Sequence, residues 1–253
     1  MDATHRLGLE QVFYDRQAQE RTATFAEHPE RLQFCTDDYL KHETWIRLAF
    51  DRLGDLAGRR VLDFGCGHGM AAVVLARQGA RVTGFDLSGG YLEEAGNRAR
   101  ANRVSIDFVQ ADGNCLPFAD HSFDRIWGNA ILHHLTLEQA ASEIFRVLRP
   151  GGIAIFCEPW GENPLLNWAR NCLPYPAKDR TPDEQPLRQQ HVYLLKRIFP
   201  SVELCGCQLL SMAGRLLRRG RIVAGLDWCD DMLLRRIPAL RQYCRYVVLT
   251  LKR

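Results

Sequence analysis

Short apolar runs alternate with amphipathic stretches along most of this chain, and the order in which they alternate predicts a fold before any chemistry is considered. Apolar runs at 61–64, 81–85, 105–109, 124–127 and 152–157 read as strands. Between them, helical periodicity runs over 70–78, 89–102 and 138–148. Strands alternating with helices in this way build a parallel sheet covered on both faces, an α/β fold. Two further helical patterns, 11–25 and 37–53, precede the first strand and are separated by the break at His28-Pro29. A helix over 192–199 and strands over 202–209 and 245–251 complete the pattern.

The sharpest local signal is the turn after the first strand, Gly65-Cys66-Gly67-His68-Gly69. Glycines permit positive φ and leave no Cβ between the main-chain amides and a ligand, so a strand–turn–helix of this kind cradles a nucleoside. Asp86 ends the next strand, where such folds hold ribose hydroxyls. A dinucleotide fingerprint needs glycine or alanine at position 70, but Met70 stands there and the third glycine comes one place early.

This Gly-x-Gly-x-Gly turn, with Asp63 two residues ahead of it, resembles motif I of the class I S-adenosylmethionine (SAM) dependent methyltransferases. The resemblance extends over roughly residues 60–158, in family order. Phe85-Asp86-Leu87-Ser88 is similar to motif II, Gln110-Ala111-Asp112-Gly113 to the turn that contacts adenine, and Ile131-Leu132-His133-His134-Leu135 to the segment after the fourth strand. Glu143 to Gly152 resembles the helix and turn before the fifth. The resemblance implies a Rossmann-like sheet of seven strands, mostly parallel with an antiparallel last strand and helices on both faces. It also implies SAM as cofactor and S-adenosylhomocysteine as product. Gly65, Gly67 and Gly69 would approach the methionyl part and Asp63 its ammonium. Asp86 would take the ribose, Asp112 the adenine amino group, and Asn129 would line the floor, with Cys66, Leu87 and Gly113 in the same turns. For Asp63, Asp86 and Asp112 the plain alternative is a carboxylate that caps a turn.

Methyl transfer from a sulfonium needs alignment above all, and a base only where the acceptor is protonated. His133 and His134 follow strand four, where the resembled enzymes place the acceptor, and successive residues cannot both face it. His133 is the first choice for the base, His134 the second, and Glu158, ending strand five, is expected to point to the same mouth. Packing or capping roles are the competing reading for both histidines. His68, inside the turn, reads as an exposed loop residue. No metal is expected.

The resemblance divides the chain into an N-terminal helical lid, 1–58, the cofactor-binding core, 59–158, an insertion, 159–191, and a C-terminal part, 192–253, with a helical insertion over 212–244. Tyr14, Tyr39, His42 and Trp45 are the lid candidates, unless they only pack on the sheet. The insertion is rich in proline, arginine and aromatics and leaves the ligand edge of the sheet, so it is expected to cap the substrate. Trp160, Leu165, Leu166, Trp168 and Tyr175 there suit a fairly apolar small-molecule acceptor, with His191 as a further cap residue.

Charge and composition narrow the partners. A net charge of +3 over 253 residues gives no strong field toward nucleic acid. Nucleic-acid methylation is an alternative, but Asn129-Ala130-Ile131-Leu132 lacks the proline pair of base-amino enzymes and no Pro-Cys pair occurs. A SAM-binding partner protein that does not methylate is the other alternative. Ten basic against three acidic residues from Arg215 to Arg253 concentrate net +7 at the C-terminal end. That stretch, with Arg218, Arg219, Arg221, Arg235 and Arg236 among apolar residues, fits peripheral contact with an acidic membrane, an anionic substrate or a solvated basic face. No apolar run reaches the ~20 residues of a membrane span, and Met1 to Glu20 lacks a signal-peptide core, so a cytoplasmic protein is expected. The nine cysteines contain no Cys-x-x-Cys and are expected to be reduced and buried. Oligomeric state has no signature in the sequence.

Overall fold

A computed structural model describes residues 3–172, 185–213 and 220–253. Seven strands form one sheet: β1 (Arg60–Phe64), β2 (Arg81–Asp86), β3 (Asp107–Gln110), β4 (Phe123–Asn129), β5 (Leu148–Pro159), β6 (Ser201–Cys207) and β7 (Tyr246–Lys252). Their order across the sheet is β3-β2-β1-β4-β5-β7-β6. The pairs from β3 to β5 are parallel, and β7 runs antiparallel to both neighbours. The mostly parallel sheet with its reversed last strand is therefore as expected. The chain moves outward from β1 to β3 and then returns to β4 on the other side of β1, so the crevice opens where strand order reverses.

Alternation along the strands divides the core into two layers. Leu62, Phe64, Ile126, Phe156 and Leu249 face one side, with Ile144 of helix α6 (Leu137–Val147). Val61, Trp127, Ile155 and Val248 face the other and meet helix α3 (Thr44–Leu53) through Phe50 and Leu53. Helices α4 (Met70–Arg77) and α5 (Gly89–Ala101) follow β1 and β2.

The single helix expected over 37–53 is two: α2 (Thr36–His42) and α3, separated by extended Glu43 at φ −137°, ψ 144°. In one straight helix Tyr39 and Trp45 would lie about 120° apart around the axis. The break lets both turn inward, and both are buried in the same layer.

Helix α1 (Ala3–Glu27) docks along α5. Asp15 Oδ1 accepts from the Ser88 hydroxyl at 2.5 Å and the Gly90 amide at 3.2 Å, and Arg21 bonds buried Glu94. Among the described residues the remaining α-helices are α7 (Pro164–Cys172), α8 (Gln189–Ile198) and α9 (Gly220–Arg236).

Several expectations fall on other ground. Tyr175 lies outside the described residues, as do Arg218 and Arg219 and the side chain of Arg221. Arg235 and Arg236 are exposed, and Arg235 pairs with Asp231 one turn back. Of the cysteines, Cys35, Cys115 and Cys172 are exposed, contrary to the expectation of buried thiols. No helix among the described residues is long and apolar enough to cross a membrane.

Candidate active site

The three glycines of the turn hold φ of +69°, +48° and +80°. Their tasks differ. A Cβ on Gly65 would lie 2.6 Å from Ile131 Cγ1, and one on Gly69 2.7 Å from Ala95 Cβ, whereas one on Gly67 meets nothing within 4 Å. Gly69 thus caps α4 and seats the turn against α5, and it is absent from the cavity wall. Gly67 is the open point of the cradle, and its amide donates to Asp86 Oδ2 at 2.8 Å. The other Asp86 oxygen accepts from the Ser88 amide, and burial raises this carboxyl above its ordinary range despite those bonds.

Asp63, on β1, is the most perturbed acid of the site. It is 2% exposed, and its Oδ2 has no hydrogen-bond partner among the described residues. Burial, and secondly repulsion from Asp86, push its carboxyl up to about 8, against a bond from the Ala72 amide. A buried, orphaned carboxyl oxygen beside an open glycine is an acceptor awaiting a cation.

A cavity of about 650 Å3 lies over the C-terminal ends of the strands, from Asp112 after β3 to Tyr246 at the start of β7. Asp63, Gly65, Cys66, Gly67 and Asp86 line it, followed by Leu87, Asp112, Gly113 and Asn129. Of the residues expected to bind the cofactor, only Gly69 stands back from the wall. These residues fit SAM: Asp63 Oδ2 for the ammonium, Gly67 for close backbone approach, Asp86 for the ribose and Asp112 for the adenine end. Asp112 Oδ1 is held by the Asn114 amide and side chain at 2.8 and 2.9 Å.

The three candidate catalytic residues separate. His134 lines the cavity, with its Nε2 3.5 Å from the Tyr14 hydroxyl of α1. His133 and Glu158 do not line it; His133 Nδ1 lies 2.6 Å from Glu158 Oε2, and Glu158 is fully buried. Glu158 Oε1 accepts from the amides of Ile131 and Leu132 at 3.0 and 2.8 Å. Strand parity is the reason: Glu158 shares the face of Phe156, while the mouth opens on the face of Asp63 and Trp127. Ala130, at φ +56°, turns the chain so that those two amides reach Glu158.

All four lid candidates, Tyr14, Tyr39, His42 and Trp45, line the cavity, and Tyr39 and Trp45 are also core residues. Among the described residues of the insertion none lines it. Trp160 is buried, its indole N–H donating to Gln242 O at 3.0 Å, while Leu165 and Trp168 are exposed. His191 bonds locally, its Nδ1 accepting from the Arg188 amide. His68 lines the cavity and is not an exposed loop residue; burial, then Arg21 and Arg98, lower its pKa to about 4. Sequence reasoning missed Glu10, Asp38, Glu43, Tyr91 and Tyr246 on the wall. Tyr91, three residues after Ser88, had a signal in the motif II helix; the others arrive only by tertiary packing. No group of three or more metal-ligating side chains occurs among the described residues.

The family model described as "Methyltransferase domain" matches residues 62–156. A phthiotriol/phenolphthiotriol dimycocerosates methyltransferase of Mycobacterium ulcerans is 32% identical over 201 residues, covering 75% of this chain and 68% of that protein. A demethylmenaquinone methyltransferase of Clavibacter sepedonicus is 39% identical over 117 residues, 46% of this chain and 47% of its own length. Against several curated relatives the matched segment spans about half of their length or less, from 38% to 52%. Among solved structures, the geranyl diphosphate C-methyltransferase of Streptomyces coelicolor A3(2) superposes with a TM-score of 0.58 at 20% identity, covering 82% of this chain and 77% of that one. That likeness is one of fold. With the matched core, the long relative from Mycobacterium ulcerans and the glycine cradle in agreement, this chain belongs to the class I SAM-dependent methyltransferases.

Proposed function

We propose that this chain methylates a small, fairly apolar molecule, on oxygen or carbon in preference to nitrogen, in the part of the cavity that extends beyond Asp63 toward β7. The observation that carries the reading is continuity. One cavity holds the cofactor cradle and, on the same wall, the aromatic residues Tyr39, Trp45, Trp127 and Tyr246, with His134 facing in. SAM supplies the methyl on a sulfonium whose thioether leaves without needing a proton.

The chain's own residues then bind and align. Asp63 and Asp86 fix the cofactor's amino-acid and ribose ends, and the aromatic wall holds the acceptor in line; alignment of this kind supplies roughly 7–11 kcal/mol of the barrier. His134 takes the proton of a hydroxyl acceptor, with the Tyr14 hydroxyl beside its Nε2. His133 and Glu158 hold the turn on which His134 stands and have no contact with the acceptor. Relatives named for phthiotriol and phenolphthiotriol dimycocerosates and for demethylmenaquinone support an apolar acceptor.

The test is product formation. Incubated with SAM and a small-molecule extract pretreated with nuclease, the protein should form S-adenosylhomocysteine, and His134→Ala should lower the rate while cofactor affinity stays. Cofactor binding without any turnover would overturn the proposal in favour of a partner role, and turnover lost after nuclease would redirect it to nucleic acid.

A further inference from the structure

Strand β6 carries the chain's one pair of cysteines set two residues apart, Cys205 and Cys207, with Gly206 between them. It is an outermost strand of the sheet and pairs with β7 on its inner side. Period-two alternation puts both side chains on one face, the face that packs toward α3. Two residues of strand span roughly 6.6 Å between Cα atoms, inside the range of about 4.4–6.8 Å that a disulfide bridges. Cys207 Sγ lies 3.8 Å from Cys205 O, so the second side chain leans back toward the first. Cys205 is partly exposed and Cys207 is buried.

Two arginines approach the outer thiol. Arg52 of α3 donates from Nη1 to Thr250 Oγ1 at 3.1 Å and lies 3.9 Å from Glu203 Oε2. Glu203 stands opposite Thr250 in the β6–β7 ladder, one alternation before Cys205, and is held by Lys252 Nζ at 2.6 Å. On the other face a Cβ at Gly206 would meet Arg241 O at 2.6 Å and Cys244 Sγ at 2.9 Å, so the glycine lets the turn Pro238–Tyr243 pack close to the strand. The Cys207 S–H, and after it Arg52 and Arg241, lower the Cys205 thiol below its ordinary range against its burial. The same bond raises Cys207, as do its burial and the neighbouring thiols Cys205, Cys157 and Cys244. The partly exposed member is thus the nucleophile, and the buried one keeps its proton.

We propose that Cys205 and Cys207 form a redox-active dithiol, which a low-molecular-weight disulfide closes and a thiol reopens. Cys205 Sγ attacks one sulfur of the incoming disulfide, whose S–S bond breaks and whose other half leaves as a thiolate. Cys207 Sγ then attacks Cys205 Sγ, the mixed disulfide breaks, and the second half leaves with the proton of Cys207. Two electrons pass from the cysteine pair to the disulfide, which becomes two thiols. The span lies near the upper limit for a bridge, and β6, an outermost strand with a glycine between the two cysteines, has the freedom to bend and close it. The pair borders the cavity wall, because Cys207 stands opposite Tyr246 in the ladder and Tyr246 lines the cavity.

Trypsin releases both thiols in one peptide, residues 198–215, that holds no other cysteine. The full chain is incubated with oxidised glutathione at neutral pH, its remaining thiols are blocked with iodoacetamide in urea, and that peptide is weighed. Most of it should have lost two hydrogens and escaped alkylation, and dithiothreitol should restore it. Cys207→Ala should stop at the mixed disulfide on Cys205, and Cys205→Ala should leave Cys207 unmodified, each with the circular dichroism spectrum of the wild type. At pH 6, Cys207→Ala should also slow alkylation of Cys205 in the folded protein about tenfold, because the thiol returns to its ordinary range. An unmodified peptide, a mixed disulfide that persists in the wild type, or an unchanged alkylation rate in Cys207→Ala overturns the proposal. Should a variant fail to fold, the mass of the wild-type peptide decides alone.

Discussion

Asp63 should release its proton when the cofactor binds. In the free protein burial pushes this carboxyl up to about 8, so at pH 7 about nine in ten molecules hold a proton there. An ammonium against Oδ2 favours the ionised form, and the proton must leave as the ligand enters. Ionising the group at pH 7 costs about 1.4 kcal/mol, which weakens apparent affinity about tenfold relative to a pH well above 8. Calorimetry with S-adenosylhomocysteine in buffers of different ionisation heat reads the proton directly: about 0.9 per site released at pH 7. Asp63→Asn keeps the shape and removes the charge; loss of one partner of a buried pair costs ~3–5 kcal/mol, so affinity should fall by a factor of about a hundred or more and the proton release should disappear. Stability moves the other way. With its folded pKa above the unfolded one, Asp63 makes the free protein lose stability as pH rises from about 4 to about 8, so Asp63→Asn should melt higher than wild type in alkaline buffer. Binding heat that does not depend on the buffer, or an Asn variant that keeps its affinity, would refute the assignment of Asp63 to the ammonium.

Three further substitutions separate architecture from chemistry. Glu158→Gln leaves one acceptor oxygen where the glutamate has two, so it cannot serve both His133 and the Ile131 and Leu132 amides as now; urea unfolding should show a loss of ~1–3 kcal/mol, larger than that of His134→Ala. Gly69→Ala places a Cβ 2.7 Å from that of Ala95 at φ +80°, and thermal melts should report ~1–3 kcal/mol of destabilisation. Asp15→Ala removes the acceptor shared by the Ser88 hydroxyl and the Gly90 amide; at ~1–3 kcal/mol, hydrogen exchange in α1 should accelerate about five- to a hundredfold while the strands of the sheet stay protected.

What the sequence shows of this site and what it hides follow from the range over which each feature is encoded. The cradle is local: Asp63, Gly65, Gly67 and Asp86 lie on two neighbouring strands and the turn between them, so spacing alone brings them together. The rest of the cavity wall is assembled from α1, the α2–α3 break and β7, whose residues are up to about 230 positions apart, and no period in the sequence relates Trp45 to Tyr246. Between these extremes stands the choice among His133, His134 and Glu158, for which the deciding signal is present but needs register. Asn129 pairs with Cys157 on β5, so Glu158 must share the inward face of Phe156 and cannot open on the face of Asp63. Once Glu158 is buried among apolar side chains, its oxygens require donors, and the amides of Ile131 and Leu132 with His133 are those within reach. That demand turns His133 inward, and the next residue, His134, is the one left to face the cavity. The polarity of one buried glutamate therefore decides which of two adjacent histidines faces the cavity.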